Sequence, residues 1–189
     1  MANNRVKYGL QSCYYAKATA STTTAGMLVY SAPVALPGAV SLTLDPAGEM
    51  STFRADNIDY YVGETNNGYT GSLELAVIPD AFRKDILKEV QDTNAVLVEK
   101  AGVETAEFAL LFRFEGDQEE TLHCMYRVKA GRPSVSGQTT DTTVTPQTET
   151  INLTAMPRIN DKIVKTKCLK SASTSQYNSW FTTVYEPTF

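Results

Sequence analysis

The sequence predicts a mainly β protein: one domain over residues 1–189, built as a β-sandwich or barrel with one flanking helix and long projecting loops. With 42% hydrophobic residues, the chain is long enough to bury a core without disulfides or metals. Ten tyrosines and abundant threonine favour half-buried pleated surfaces. Most apolar runs alternate with polar residues at the period of a strand, and one run repeats at the helical period.

The amino terminus predicts an arm followed by a hairpin. Residues 1–11 are polar and read as an arm that docks only in context. A strand is expected around 12–17, and a second over 27–31 ends before Pro33. The threonine-rich turn over 19–26 lies between them, so we expect the two strands to pair as a hairpin at an edge of the sheet.

The next stretch predicts a long hairpin that projects from the body. Alternating apolar residues over 40–44 and 71–78 predict two strands, each with one face toward a core. Between them, residues 45–69 mix tyrosines with charges of both signs and keep no clean period, so this segment has no core side. The sequence from Asn66 to Gly68 supplies the positive φ angles of a tight hairpin turn. We therefore expect an arm whose partner is another subunit.

One helix is predicted, over about 80–91, and Asp80 is its expected cap. Its charged residues are expected to face water, and its apolar residues form one stripe that should lie against the sheet. Burial of each large side chain of that stripe contributes roughly 1.5–3 kcal/mol. The stripe consists of Phe82, Ile86, Leu87 and Val90.

Three strands are expected after the helix, over 95–100, 107–114 and 119–129. A short acidic turn joins the last two, so they are expected to pair as an antiparallel hairpin. In the strand over 107–114 one face carries Phe108, Leu110, Phe112 and Phe114. In the strand over 119–129 one face carries Leu122, Cys124, Tyr126 and Val128, and the other carries His123, Met125, Arg127 and Lys129.

The last third of the chain predicts a long loop, two strands and an aromatic end. Residues 131–147 are rich in serine and threonine, which is typical of a functional or mobile loop. Strands are expected over 149–155 and 162–169. The C-terminal segment, 177–189, carries aromatic residues that must be anchored on its own body or on a neighbouring subunit. The residues expected to dock are Tyr177, Trp180, Phe181 and Tyr185.

Charge and cysteine content argue against several classes of function. The net charge of −4 and pI near 5.1 provide no basic stripe that would neutralise phosphates, so tight nucleic-acid binding is not expected. Cys13, Cys124 and Cys168 are an odd number without metal-binding spacing, and no apolar run follows the first residues. Free thiols in a reducing cytoplasm are therefore expected. No stretch approaches the roughly 20 apolar residues that span a bilayer.

No catalytic, metal or cofactor site is predicted. The single histidine, His123, stands beside Cys124 in a strand, where neighbours point to opposite faces, so a surface histidine next to a core thiol is the favoured interpretation. The acidic residues of 115–120 would have to converge in a cleft to act as glycosidase carboxylates, and a solvated turn explains them better. The sequence contains no phosphate-binding glycine motif.

The tyrosines of the projecting segment indicate an interface. They lack the interleaved lysines and arginines of a surface that stacks nucleic-acid bases. Tyrosine is instead enriched where proteins bury surface against one another. We therefore predict subunit contacts by aromatic, charged and amide side chains of this segment. These residues are Arg54, Asp56, Asp59, Tyr60, Tyr61, Asn66, Asn67 and Tyr69.

Several blocks of sequence, in collinear order, cover essentially the whole chain and carry a resemblance that depends on no single short motif. They are KYGLQSCYYA, PVALPGAVSLTLDP, FRADNIDYYV, NNGYTGSLELAVIPDAFRKDIL, EFALLFRFEGD, RPSVSGQT, PQTETINLTA and YNSWFTTVY. Together these blocks resemble the major tail proteins of long-tailed, non-contractile bacteriophages.

The resemblance implies a tail tube protein, with the β-sandwich fold that contractile tails and type VI secretion tubes share. Such proteins form hexameric rings that stack into a hollow tube through which the genome leaves the capsid. The segment from Asp45 to Tyr69 is similar to their inter-ring loop. Implied partners are copies of the chain and other tail proteins (tape measure, terminator, distal tail), with DNA passing unbound and no membrane. The implied location is the virion, after synthesis in the host cytoplasm.

Three alternatives stand beside this interpretation. An immunoglobulin-like adhesive module would present its loops at one end and would need an export signal. A carbohydrate-active β-sandwich enzyme would need convergent carboxylates in an apolar cleft. A tail terminator or connector would share the fold and assemble differently.

Overall fold

A computed structural model describes residues 8–116, 119–139 and 146–188. Of these residues 45% lie in strands and 8% are helical, so the mainly β class is confirmed. The strands are β1 (Leu10–Ala20), β2 (Leu28–Tyr30), β3 (Val34–Ala35), β4 (Ala39–Pro46), β5 (Met50–Ala55), β6 (Ile58–Glu64), β7 (Tyr69–Leu75), β8 (Val90–Gln91), β9 (Leu97–Val98), β10 (Glu107–Phe114), β11 (Leu122–Ala130), β12 (Glu149–Met156) and β13 (Lys165–Cys168). The helical segments are α1 (Asp80–Phe82), which continues as a π-helical turn (Arg83–Leu87), and α2 (Thr174–Ser179).

Nine of these strands form one antiparallel sheet. Seven follow the order β2-β1-β10-β11-β12-β7-β4, while β3 pairs with β1 and β13 pairs with β11. On one side of β11, residues 127–130 pair with β12 and residues 122–125 pair with β13, so the sheet splits there. The strands β1 and β4 stand near opposite ends of the order, yet they contact each other. The sheet therefore curls around its inner face, an arrangement consistent with a β-sandwich.

The inner face of the curled sheet holds the larger core, which the helix closes on one side. Phe82 meets Tyr15 and Phe108 edge to face, with ring centroids 5.1 Å and 5.5 Å away. The Tyr15 hydroxyl donates to the Asp85 carboxylate at 2.9 Å and so ties the helix to β1. Fully buried members include Leu73, Leu75, Ile86, Leu110 and Ile151.

A smaller core lies on the opposite face of β10 and β11, under the C-terminal segment. Leu111, Leu122, Cys124 and Tyr126 form its sheet side, and Trp180 covers them. Strand β10 is therefore buried on both faces, which explains why it reads as a continuous apolar run in the sequence. Burial raises the pKa of the Cys124 thiol, which is the core thiol that the sequence predicts.

The predicted helix over 80–91 is wrong at its cap and at its end. Pro79 is the N-cap, no side chain caps the helix, and Asp80 is the first helical residue. Helical structure stops at Leu87, because Lys88 turns into the left-handed region with φ of 64° and the Glu89 amide bonds back to the Arg83 carbonyl. Val90 therefore leaves the buried stripe and lies 47% exposed in a small hairpin of β8 and β9. The remaining apolar residues of the stripe are buried as expected.

The predicted faces of β11 are also corrected. Between the pairs Phe108↔Val128 and Leu110↔Met125 the register shifts by one residue, so β11 has a bulge there. The bulge turns Val128 toward the larger core, whereas Tyr126 belongs to the smaller one. Strict alternation would place the Tyr126 and Val128 side chains on one face. The extra residue of the bulge turns the side chains beyond it to the opposite face.

The other predicted strands lie where the structure has strands, but some of them differ in length. The hairpin of β1 and β2 and the pairing of β10 with β11 are confirmed. The predicted strands over 95–100 and 162–169 shrink to β9 and β13. Residues 131–139 form no strand, while 140–145 of the predicted loop and 1–7 of the predicted arm lie outside the described residues.

Candidate assembly surfaces

The segment between β4 and β7 is a hairpin that stands clear of the core. Its strands, β5 and β6, pair only with each other within the described chain. The hairpin turn is at Asp56-Asn57, with φ of 52° and 61°, and not at the predicted Asn66 to Gly68. Positive φ at both central residues is what a two-residue type I′ turn requires, and Asp and Asn tolerate it. We call residues 47–67 the arm.

Both faces of the arm carry large apolar side chains that nothing in the described chain covers. Phe53 and Tyr61 lie opposite each other on one face, and Thr52 and Val62 on the other. Tyr60 is the extra residue where the register shifts by one. The exposed fractions run from 52% to 69% over Met50, Phe53, Ile58, Tyr60, Tyr61 and Val62.

The base of the arm is fixed by backbone hydrogen bonds. The Ala47 amide donates to the Gly68 carbonyl and the Asn67 amide to the Ala47 carbonyl, each at 2.8 Å. Gly68 has φ of 101°, and a Cβ placed there would lie 1.9 Å from the Ala155 carbonyl oxygen. Only glycine fits this close approach, so the Asn-Gly signal marks the point where the arm re-enters the sheet. The arm thus leaves the body from a defined position.

The predicted contact residues divide between the arm and the body. Arg54 and Asp59 form an exposed ion pair at 3.1 Å on the arm, and Asn66 lies at its base, where its side chain accepts from the Gly68 amide. Tyr69 instead belongs to β7 in the main sheet, where its ring lies under the Lys165 ammonium at 4.5 Å. The exposed residues of the prediction, from Arg54 to Asn67, lie on the arm, and Tyr69 lies beside it.

A cavity of about 360 Å³ opens beside the base of the arm, at the end of the larger core. It forms where β12 has left β11 and β13 replaces it. His123 stacks on Phe112 inside it, with centroids 5.1 Å apart, and meets Phe114 edge to face. His123 is thus half-buried in an aromatic cluster, more enclosed than the predicted surface histidine. The lining residues are Leu42, Thr43, Leu44, Tyr69, Phe112, Phe114, His123, Met125, Lys165 and Thr166.

Lys165 lines this cavity, and two further exposed lysines lie near it in sequence. Lys165 and Lys167 pair in register with Met125 and His123, so both point to the face on which the cavity opens. Lys162 precedes them and is also exposed. Between described residues, no carboxylate forms an ion pair with any of the three. This surface was not predicted from the sequence, although lysines at alternate positions of a short strand are a known signal of an exposed edge.

The aromatic C-terminal segment packs on its own body. Trp180 is 2% exposed, stacks on Tyr185 with centroids 5.9 Å apart, and donates its indole N–H to the His123 carbonyl at 3.4 Å. Phe181 lies against Tyr14 at 4.7 Å. The C-terminal segment was predicted to be anchored either on its own body or on a neighbouring subunit. The structure shows that it is anchored on its own body. Docking of the half-buried residues Tyr177, Phe181 and Tyr185 to a neighbouring subunit stays a prediction.

A buried arginine also holds the C-terminal segment, through ion pairs. The Arg158 guanidinium donates to the carboxylates of Asp161 and Glu186 and stacks over the Tyr126 ring at 4.7 Å. It is 2% exposed, and its hydrogen bond holds the pKa of the Asp161 carboxyl below its usual value. A charge buried this deeply is stable only when it is paired, so the network fixes the chain end near Glu186.

Helix α2, inside this segment, was missed by the sequence analysis. It begins after Ser173, whose hydroxyl accepts from the Gln176 amide at 3.5 Å. Ser173 followed three residues later by Gln176 is the sequence signature of a capping box. That signal was present in the sequence, but the helix has only six residues and no apolar repeat.

The described part of the acidic stretch 115–120 lacks a feature that the carbohydrate-active alternative needs. The hydrogen bonds from Lys170 and Tyr177 hold the pKa of Glu120 below its usual value, whereas a glycosidase acid needs a raised one. Glu119 accepts a hydrogen bond from the Ser171 hydroxyl, and Asp117 lies outside the described residues. Over 8–116, 119–139 and 146–188, no three His, Cys, Asp or Glu side chains converge on a metal position.

In the part of the chain that the structure describes, no helix is long and apolar enough to cross a membrane. No protein-family model matches the chain, and a search of curated proteins gives no match.

Proposed function

We propose that this chain is a structural subunit, not an enzyme, that assembles with copies of itself into rings stacked as a tube. The single observation that carries the proposal is the arm. An isolated two-stranded hairpin is at best marginally stable in water. This one has no core side and exposes six large apolar side chains, from Met50 to Val62. Such a surface is typical of a protein interaction site.

The energetics favour a protein partner for the arm. Full burial of one large apolar side chain contributes roughly 1.5–3 kcal/mol, so covering only some of the six offsets a considerable ordering cost. The exposed arm ion pair between Arg54 and Asp59 contributes at most about 1 kcal/mol in water. Contact through the apolar side chains is therefore the stronger source of affinity, with the charges setting register and specificity.

The resemblance to major tail proteins of long-tailed bacteriophages supplies the finer part of the proposal. It implies the tail-tube fold, hexameric rings, and a hollow tube through which DNA reaches the host. Tape measure, terminator and distal tail proteins would be the other partners, and the virion the location. The acidity of the chain, with a net charge of −4, agrees with a channel that DNA passes without sticking, since like charges repel.

Electron microscopy of the purified chain at rising concentration tests the proposal. We expect tubes of constant width, built from stacked rings. Single rings that never stack would favour a tail terminator or connector instead. A protein that stays strictly monomeric at high concentration, by light scattering and by microscopy, would refute self-assembly and leave an adhesive module as the better interpretation.

A further inference from the structure

A second surface of the same chain matches the arm in charge and in chemistry. Over residues 47–67 the arm carries four acidic residues and one arginine, Arg54. Residues 162–167 carry three lysines and no acidic residue. We define the β13 surface as Lys162, Lys165 and Lys167 together with the aromatic cavity beside them. One surface is acidic with protruding aromatic side chains, and the other is basic with an aromatic recess.

We propose that the arm of one copy seats on the β13 surface of another copy. This inference rests on the proposed self-assembly and names the surface that receives the arm. Acidic arm residues such as Asp56 and Glu64 would face the lysines. An aromatic arm side chain such as Tyr60 would enter the cavity and contact Phe114 and His123.

The geometry of the two surfaces supports an assembly that can grow. The arm and the β13 surface are different parts of the chain, so each copy donates one arm and receives one. A contact of this head-to-tail kind closes into a ring or continues as a filament, whereas a self-complementary contact stops at a dimer. Strand β13 is also paired on one side only among the described strands, with β11. An edge that no described strand pairs is one to which a neighbouring chain can add.

The charges predict a reversal experiment. Variant D56K/E64K makes the arm basic, and variant K165E/K167E makes the β13 surface acidic. All four residues are exposed, so both variants should fold, which circular dichroism checks. Each variant alone should raise the critical concentration for assembly at least about tenfold, because like charges would then meet in every contact. Control variant K84E/K100E makes the same change of net charge as K165E/K167E, at exposed lysines of the helical turn and of the loop after β9, and should assemble normally.

Mixing the two variants gives the decisive result. The basic arm of D56K/E64K fits the acidic surface of K165E/K167E, and the wild-type arm of the latter fits the lysines of the former. An equimolar mixture, and a chain carrying all four substitutions, should therefore assemble again, within about threefold of the wild-type critical concentration. Loss of the bond between Lys165 and Tyr69 alone would not be rescued by a basic arm.

The outcomes separate this inference from the proposed function. If the wild type never assembles, the proposed function fails. If the wild type assembles while K165E/K167E does so equally well, the lysines only protect an edge strand and the inference is wrong. If both variants fail and their mixture also fails, the arm binds elsewhere, and the inference is again overturned.

Discussion

Replacing Trp180 by alanine removes the largest fully buried side chain of the molecule. The indole covers the smaller core and bonds to the His123 carbonyl, so its loss exposes the outer face of β10 and β11. We expect the variant to unfold much more easily than the wild type. The C-terminal segment should detach first, since Trp180 is the side chain that holds it most deeply.

The magnitude follows from the burial of the side chain. A buried aromatic residue removes about 150–250 Å² from water, which at about 25 cal/mol per Å² amounts to about 4–6 kcal/mol. Large-to-small substitutions of Trp in cores cost about 3–5 kcal/mol. We therefore expect a loss of about 4 kcal/mol in the free energy of unfolding. For a chain of this length that corresponds to a Tm lower by about 8–16 °C.

Urea unfolding followed by circular dichroism measures this loss, at a concentration where light scattering shows only monomer. Tryptophan fluorescence is unsuitable for the variant, because Trp180 is the only tryptophan. Phe181→Ala is the matched control, since Phe181 is half-buried on Tyr14, and it should cost about 1–2 kcal/mol. A loss below about 1 kcal/mol for Trp180→Ala would mean that the segment does not pack on its own body.

Three other predictions concern the arm and the arginine network. Gly68→Ala should destabilise the fold by at least about 3 kcal/mol in urea, because its Cβ would clash with backbone. The control is Gly102→Ala, where φ is 80° and the space around the new Cβ is open, and it should cost about 1 kcal/mol. Asp161→Asn should lower the free energy of unfolding by about 1–2 kcal/mol at pH 7. The folded pKa of Asp161 is lowered, so its stabilisation is present above pH 4 and lost as pH falls further, and the difference from wild type should shrink in acid melts. Tyr60→Ala should change stability by less than about 0.5 kcal/mol yet raise the concentration needed for assembly.

Each of these predictions has an opposing result. Equal costs for the two glycine variants would contradict the close approach at the arm base. A pH-independent effect of Asp161→Asn would contradict its ion pair with Arg158. Normal assembly of the Tyr60 variant would remove that side chain from the interface.

Strong periodic patterns carried most of the fold prediction. Strand β10 has the bounds that the sequence predicts, because its alternate positions are large and apolar and the charged Glu107 and Glu115 stand at its two limits. Strand β12 was predicted by the same kind of pattern, whereas the hairpin of β1 and β2 was predicted from the threonine-rich turn between two short strands. The projecting hairpin was predicted from the opposite observation, the absence of a clean period and so of a core side over residues 45–69.

Some features of the fold could not be predicted because two places in the sequence fit the same local structure. Asp56-Asn57 and Asn67-Gly68 both tolerate positive φ, and only tertiary contacts show which one is the hairpin turn and which one is the arm base. The helix end at Lys88 lacks the usual glycine, so no stop signal marks it. Strand β13 can pair with β11 only beyond the point where β12 stops pairing with it. That point depends on contacts between residues far apart in the sequence. The β13 surface could therefore not be assembled from the sequence.

The central claim, that the arm drives assembly, is tested most directly by removing it. Deleting residues 48–66 and joining Ala47 to Asn67 through a short Gly-Ser turn keeps the base hydrogen bonds with Gly68 and removes every exposed apolar side chain of the arm. Sedimentation velocity and electron microscopy then compare this variant with the full chain at equal concentration. We predict a folded monomer for the variant and tubes for the full chain. Tubes formed by the variant would contradict the account.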